Sequence, residues 1–366
     1  MDCERNTIMT ISIGHRAFGI ARPGNILLLL IAALHMLLAA TLLATLLSVS
    51  SAQAADDTCT GKNLMIELQQ KNPARYAEVV KEADAVPNGK GIFWRIEKPG
   101  LKPSWLLGSM HVTDPRVLDL PPYAQAARDS VDTIIIESDE ILSEKKAAAA
   151  LLARPDLTMF TDGTTIEKLL SPEDYARLDA GLKQRGIPLA AVSRMRPWMI
   201  ASAVSLPACE ISRKAKGIQF LDQEIAADAA AEGKQVRGLE TLAEQLQAMA
   251  ELPVEFHLKS LIETLELGSK MNDVVETMTD LYLSGDIGMT IPMLKAVSPD
   301  GKNEESDYAS FEQRIILDRN KIMAERAAPI LANGNVFMAV GALHLPGEAG
   351  VVELLRKQGF TVSTVN

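Results

Sequence analysis

The sequence predicts an α/β fold: a mixed central sheet with flanking helices and a large helical insertion or cap. Three observations predict it. A strand, helix, strand run occupies residues 92–136, and the same alternation returns over residues 335–365. The stretch between them carries helical rather than alternating hydrophobic spacing. Both ends of this region therefore share one sheet, and the helical middle belongs to a single α/β centre.

In chain order, residues 92–97 and 104–107 read as short strands around the Lys98-Pro99-Gly100 turn. Pro121 and Pro122 lead a short helix to Asp129. The β-branched run Thr133, Ile134, Ile135, Ile136 then reads as a strand ending at Glu137. Helices are predicted over residues 144–152, 172–185, 197–205 and 220–232, with a strand over residues 235–239. Thr241 and Glu244 form a capping box for a helix whose apolar residues continue to Leu267, with Pro253 kinking or dividing it. Residues 298–307 read as a flexible polar connection and residues 304–331 as helix. A strand at residues 335–340, a helix at 347–358 and a strand at 360–365 complete the fold.

Composition excludes several classes. With 366 residues and 47% hydrophobic content the chain is not disordered throughout, and a net charge of -10 gives no electrostatic basis for binding nucleic acid. Three cysteines cannot build a four-cysteine zinc site. Arg16 and Arg22 precede an apolar stretch at residues 26–49 that ends in Ala52-Gln53-Ala54. Residues 1–54 therefore read as a signal peptide, or as an uncleaved anchor, since the stretch can span a hydrocarbon core of about 30 Å. Either reading makes the rest extracytoplasmic, periplasmic or secreted, with a helical extension at residues 55–90 and the α/β domain at residues 91–366. Cys59 and Cys209 can pair there if their Cα atoms approach within about 7 Å; two buried thiols are the alternative.

The chemistry-bearing pattern is a pair of matching strand ends. Trp105-Leu106-Leu107-Gly108-Ser109-Met110-His111 and Phe337-Met338-Ala339-Val340-Gly341-Ala342-Leu343-His344 each run from an apolar strand through glycine to a histidine three residues on. Glycine permits a sharp exit or a close backbone approach, and either places imidazole at the strand's mouth. His257, within a helical segment, reads as a structural histidine.

Glu137, at the mouth of the isoleucine strand, can complete a ligand set or accept a proton from water; capping a helix or meeting a basic residue is the plain alternative. His111, Glu137 and His344 together make a chemically sensible divalent-metal set. Glu240 is a second carboxylate at the same sheet end, or a helix cap. Arg319 can orient a carboxylate or stabilise oxyanion charge, or form an ordinary helix ion pair. No phosphate loop, zincin helix or nucleophile elbow occurs, and Ser109 beside His111 lacks a defined orienting acid.

These residues resemble the TraB/GumN family, a group that includes Tiki-like proteases. The likeness rests on Leu107-Gly108-Ser109-Met110-His111-Val112 followed by Leu120-Pro121, on Ile136-Glu137-Ser138-Asp139, and on Val340-Gly341-Ala342-Leu343-His344-Leu345-Pro346-Gly347-Glu348. Gly217-Ile218-Gln219-Phe220-Leu221-Asp222, Leu239-Glu240-Thr241 with Gln245, and Arg319-Asn320 add support, although Gln219 departs from an acidic residue common at its position. The resemblance implies an α/β domain with both Gly-x-x-His motifs and an acid around a divalent metal, whether manganese, cobalt or zinc, and a metal-dependent peptidase or other hydrolase acting on a peptide or another small acyl-bond-containing substrate. A noncatalytic peptide-, saccharide- or metal-binding protein and a metal-independent hydrolase resembling the erythromycin-esterase-like fold are the alternatives.

Overall fold

The structure, a computed structural model, describes residues 59–297 and 309–365. The expectations for residues 1–54 and for the connection at residues 298–307 lie outside the described residues.

Six strands form one mixed sheet: β1 (Phe93–Glu97), β2 (Ser104–Ser109), β3 (Thr133–Ile136), β4 (Gln235–Gly238), β5 (Val336–Gly341) and β6 (Thr361–Thr364). Their order is β4-β3-β5-β2-β1-β6. The four strands from β4 to β2 run parallel, and β1 runs antiparallel to both β2 and β6. Parallel central strands are covered on both faces and so read as unbroken apolar runs. Ile134, Ile135 and Ile136 are accordingly all fully buried, whereas the edge strand β4 (Gln-Val-Arg-Gly) alternates exposed and half-buried residues.

Alternate residues of these strands feed two cores. On one face Leu107, Ile134, Ile136, Phe337 and Ala339 pack against Leu221, Ile225 and Ala229 of the helix Leu221–Ala231. On the other, Leu106, Ile135, Met338 and Val340 pack against Met323, Ala327 and Leu331 of the helix Asp318–Leu331 and Val351, Val352 and Leu355 of the helix Val351–Lys357. A third core, with Leu178, Leu182, Leu258, Leu261 and Leu265, is wholly helical and forms the expected large helical region.

One expectation is met, and two departures have local causes. Pro253 divides the chain into the helices Leu242–Ala250 and Val254–Leu267. The C-terminal helix begins at Val351 rather than at Gly347, which has φ +96° and so lies outside helical space. Lys270–Leu283 is a further helix, obscured in sequence by its β-branched Val274, Val275, Thr277 and Thr279. Thr277 and Thr279 satisfy their hydroxyls on the carbonyls of Asp273 and Val275, one turn back.

Cys59 and Cys209 form a disulfide with Cα atoms 5.4 Å apart. The neighbouring Glu210, buried in the helix Ala208–Ala215, accepts from the backbone N and Oγ1 of Thr113 at 2.9 and 2.8 Å, fixing the segment just beyond His111. Among the described residues no helix is long and apolar enough to cross a membrane.

Candidate active site

His111, Glu137, Glu240 and His344 all fall at the carboxyl ends of parallel strands, the edge where α/β sheets open a crevice. Strands β2 and β5 are neighbours, with Gly108 opposite Val340 and Ser109 opposite Gly341. This register sets the two Gly-x-x-His motifs side by side. Strand β3 flanks β5 on its other side and brings Glu137 against Gly341, whose backbone N donates to Glu137 Oε1 at 2.8 Å.

Neither motif glycine is needed for a positive φ; both are needed for close approach. A Cβ on Gly108 would stand 2.7 Å from Leu345 Cδ1, and one on Gly341 would stand 3.1 Å from Glu137 Oε1.

Glu137 is buried and its other oxygen, Oε2, accepts from Gln245 Nε2 at 3.0 Å and from Arg319 Nη2 at 2.7 Å. Burial alone would raise its pKa. The charges of His344, Arg319 and His111, with the Gly341 N–H, outweigh that and lower it to about 2. Arg319 also grips Glu240, with Nε 3.1 Å from each carboxylate oxygen and Nη2 2.7 Å from Oε2. These bonds use Nε and Nη2 and leave Nη1 out. Glu240 thus reaches the site through Arg319, and Thr241 rather than Glu240 caps the following helix, with Glu244 completing the capping box.

His344 is buried beside this triad. Its Nδ1 lies 2.6 Å from Asn320 Oδ1, and Asn320 Nδ2 donates to the carbonyl of Ala349 at 2.9 Å. The second bond fixes which end of the amide faces the ring, so Nδ1 carries the proton and Nε2 keeps its lone pair. Burial lowers the His344 pKa to about 4 against the pull of Glu137, so the ring is neutral at pH 7. Nε2 points to Glu137 Oε1 at 3.8 Å.

His111 is half exposed and tilts against Phe220, ring centres 4.9 Å apart. Its Nε2 is 3.5 Å from Oδ2 of Asp222, which is buried with that oxygen making no hydrogen bond. The other oxygen accepts from Ser109 Oγ at 2.6 Å. Burial raises the Asp222 pKa, opposed by His111 and Ser109. Tyr282 donates its hydroxyl to the carbonyl of Gly108 at 3.0 Å and steadies the first motif's turn. His111, Glu137, Arg319 and His344 all line one cavity of about 260 Å³.

The predicted residues are therefore assembled: His111, Glu137, His344 and Arg319 share a cavity, and Glu240 backs Arg319. His257 is structural, its Nε2 held by the Met249 carbonyl at 2.8 Å. Sequence reasoning gave no role to Asp222, Gln245 or Asn320. Asp222 follows Phe220 by two residues within the supporting Gly217 to Asp222 match, and Asn320 adjoins Arg319; those positions were the available signals.

Among the described residues no three or more His, Cys, Asp or Glu side chains form one group able to hold an ion. The donors form two imidazole–carboxylate pairs instead. Their 3.5 and 3.8 Å spacings are longer than ordinary N–H···O hydrogen bonds and leave both imidazole Nε2 atoms and the carboxylate oxygens facing them open to a further partner. Glu137 and Glu240 also outnumber Arg319, so the buried triad is net negative. The donor chemistry, with one orphaned carboxylate oxygen and one fixed imidazole lone pair, suits a divalent cation.

The chain is similar to several known proteins. The chain is 25% identical over 333 residues to a metalloprotease TIKI homolog of Nematostella vectensis, covering 77% of this chain and 69% of the relative. It is 26% identical over 343 residues to metalloprotease TIKI1 of Danio rerio, covering 82% and 68%. It is also 25% identical over 263 residues to the uncharacterized protein YbaP of Shigella flexneri, covering 71% and 90%. No solved structure gives a significant match. The TraB/PrgY/gumN family model matches residues 92–364, and the chain belongs to that family.

Proposed function

We propose that the protein is an extracytoplasmic, divalent-metal-dependent hydrolase that cleaves a peptide or related acyl bond. The observation that carries this reading is the meeting of both Gly-x-x-His turns and Glu137 in one cavity, with the Nε2 lone pair of His344 held free by Asn320. The kinship with metalloproteases supports it, and the Cys59–Cys209 disulfide supports an oxidising, exported location.

His111, His344 and Glu137 would hold the ion, which would be manganese, cobalt or zinc. When bound, a divalent cation supplies Lewis acidity to the acyl carbonyl. The two carboxylates divide the remaining work. Glu137, which accepts three hydrogen bonds and is weakly basic, keeps one acceptor position for the ion and anchors the site. Asp222 has a free oxygen beside His111 and takes the proton from the attacking water. The water oxygen bonds to the carbonyl carbon and charge builds on the carbonyl oxygen; the C–N bond then breaks as that oxygen regains its double bond and the proton passes from Asp222 to the departing amine. Arg319, positioned by Glu240, offers Nη1 to the developing oxyanion.

The test is turnover of a mixed peptide and ester library by the wild-type protein and by His111→Ala, His344→Ala and Asp222→Asn. Loss of turnover in all three with folding retained, and loss on chelation, is the expected result. Turnover that survives exhaustive chelation supports a second reading, a metal-independent acid–base hydrolase, which the Ser109–Asp222–His111 alignment favours. Ligand binding without any turnover would instead point to a peptide- or saccharide-binding protein.

A further inference from the structure

We infer that the site selects substrates carrying an apolar side chain beside the cleaved bond, and that Met110, Leu343 and Met278 form the subsite that reads it. This rests on the hydrolase reading above. Each imidazole comes with an apolar neighbour in the chain: Met110 precedes His111, and Leu343 precedes His344. All four residues line the same cavity. Met110 and Leu343 are half-buried and pack their inner sides on the core beneath the sheet, so their outer sides face the cavity. Met278, from the helix Lys270–Leu283, adds a third half-buried apolar side chain to the lining.

The consequence follows from position. A bond that reacts between His111 and His344 sits directly beside Met110 and Leu343, so the substituent next to that bond must lie against them. A carboxylate or ammonium placed there would lose its hydration. Of the cavity's charged groups, Glu137 is engaged with Arg319, Gln245 and Gly341, and Arg319 holds both acids through Nε and Nη2, its Nη1 serving the oxyanion in the mechanism above. An apolar side chain loses nothing and displaces water from the wall. Unbranched methionines adapt to several shapes, so the subsite accepts Met, Leu and Phe rather than a single residue. At about 260 Å³ the cavity encloses the reacting group and one side chain, leaving the rest of a longer peptide outside.

The experiment maps cleavage by the full-length protein in a degenerate peptide library, with Mn²⁺, Co²⁺ or Zn²⁺ added, by mass spectrometry. Met, Leu and Phe flanking the cleaved bond are expected to exceed Asp and Glu at least about tenfold. Met278→Glu should lower cleavage at apolar sites at least about tenfold and raise the share of sites flanked by Lys or Arg. Cleavage that needs His111 and His344 but shows no apolar preference, or a profile unchanged by Met278→Glu, overturns the subsite and leaves the hydrolase reading intact. If no peptide is cut, calorimetric binding of N-acetyl-methioninamide decides. Binding that N-acetyl-aspartamide does not reproduce, and that Met278→Glu removes, upholds the subsite while the hydrolase reading fails. Absence of that binding overturns the subsite.

Discussion

Replacing Arg319 with glutamine removes the cation on which the buried triad depends. Its side chain is 13% exposed, and its carboxylate partners Glu137 and Glu240 are 9% and 1% exposed. The guanidinium makes four hydrogen bonds to the two acids. Without it, two like charges remain in a poorly solvated site, with only Gln245 and the Gly341 N–H still donating to Glu137. Removing one member of a buried ion pair costs about 3–5 kcal/mol, and the orphaning of two acids places Arg319→Gln toward the upper end.

The pH dependence carries a sign. In the wild type the Glu137 pKa falls from 4.5 to about 2, so its stabilisation is present above about pH 4.5 and is lost as pH falls toward 2. That difference amounts to about 3 kcal/mol. Arg319→Gln removes the Arg319 share of it, the second-largest lowering influence after His344, so the variant's deficit narrows at acid pH as the orphaned carboxylates take up protons. Urea unfolding of chelator-treated protein, followed by circular dichroism at pH 7 and at pH 5, measures both effects. The double variant Arg319→Gln/Glu240→Gln should be less destabilised than the sum of the singles by at least about 1.5 kcal/mol, because one stranded charge has gone. A cost below about 1 kcal/mol at pH 7, or strict additivity, would refute the electrostatic account of the triad.

Two further outcomes follow from the same structure. His344 has its pKa lowered to about 4 from 6.5, so the unfolded chain binds its proton first, and metal-free stability falls by about 3 kcal/mol as pH drops from 6.5 to 4. Stability measured across that range should decline in the wild type and flatten in His344→Gln; equal slopes would contradict the burial argument. The Cys59–Cys209 bridge has a sequence separation of 150, which corresponds to about 5 kcal/mol of chain entropy, so Cys59→Ser should lose stability of that order in urea, and a loss under about 1 kcal/mol would remove the bridge from the account.

Much of this site was legible because its residues sit where strands end. An apolar run followed by Gly-x-x-His announces both a strand and a histidine at its mouth, and the isoleucine run does the same for Glu137. Adjacency of those ends was not legible, since it depends on β5 inserting between β3 and β2, a pairing set by residues more than two hundred positions apart. Asp222 stayed without a role because, in sequence, it is an ordinary acid in a helix's first turn; only the docking of Leu221 and Ile225 against Leu107 and Ile136 carries it to His111. Glu240 and Arg319 were each open to a structural reading, and the structure joins them to each other: Glu240 is the acid that holds Arg319 against Glu137. Asn320 escaped for a similar reason, because its amide acts through His344 rather than on a substrate.

The most direct test of the central claim is a calorimetric titration of chelator-treated, full-length protein with Zn²⁺ and Mn²⁺, repeated on His111→Ala and His344→Ala with folding checked by circular dichroism. One equivalent should bind to the wild type, and binding should weaken sharply in each variant. No binding, or binding indifferent to both imidazoles, would contradict a metal centre built on the paired Gly-x-x-His strand ends.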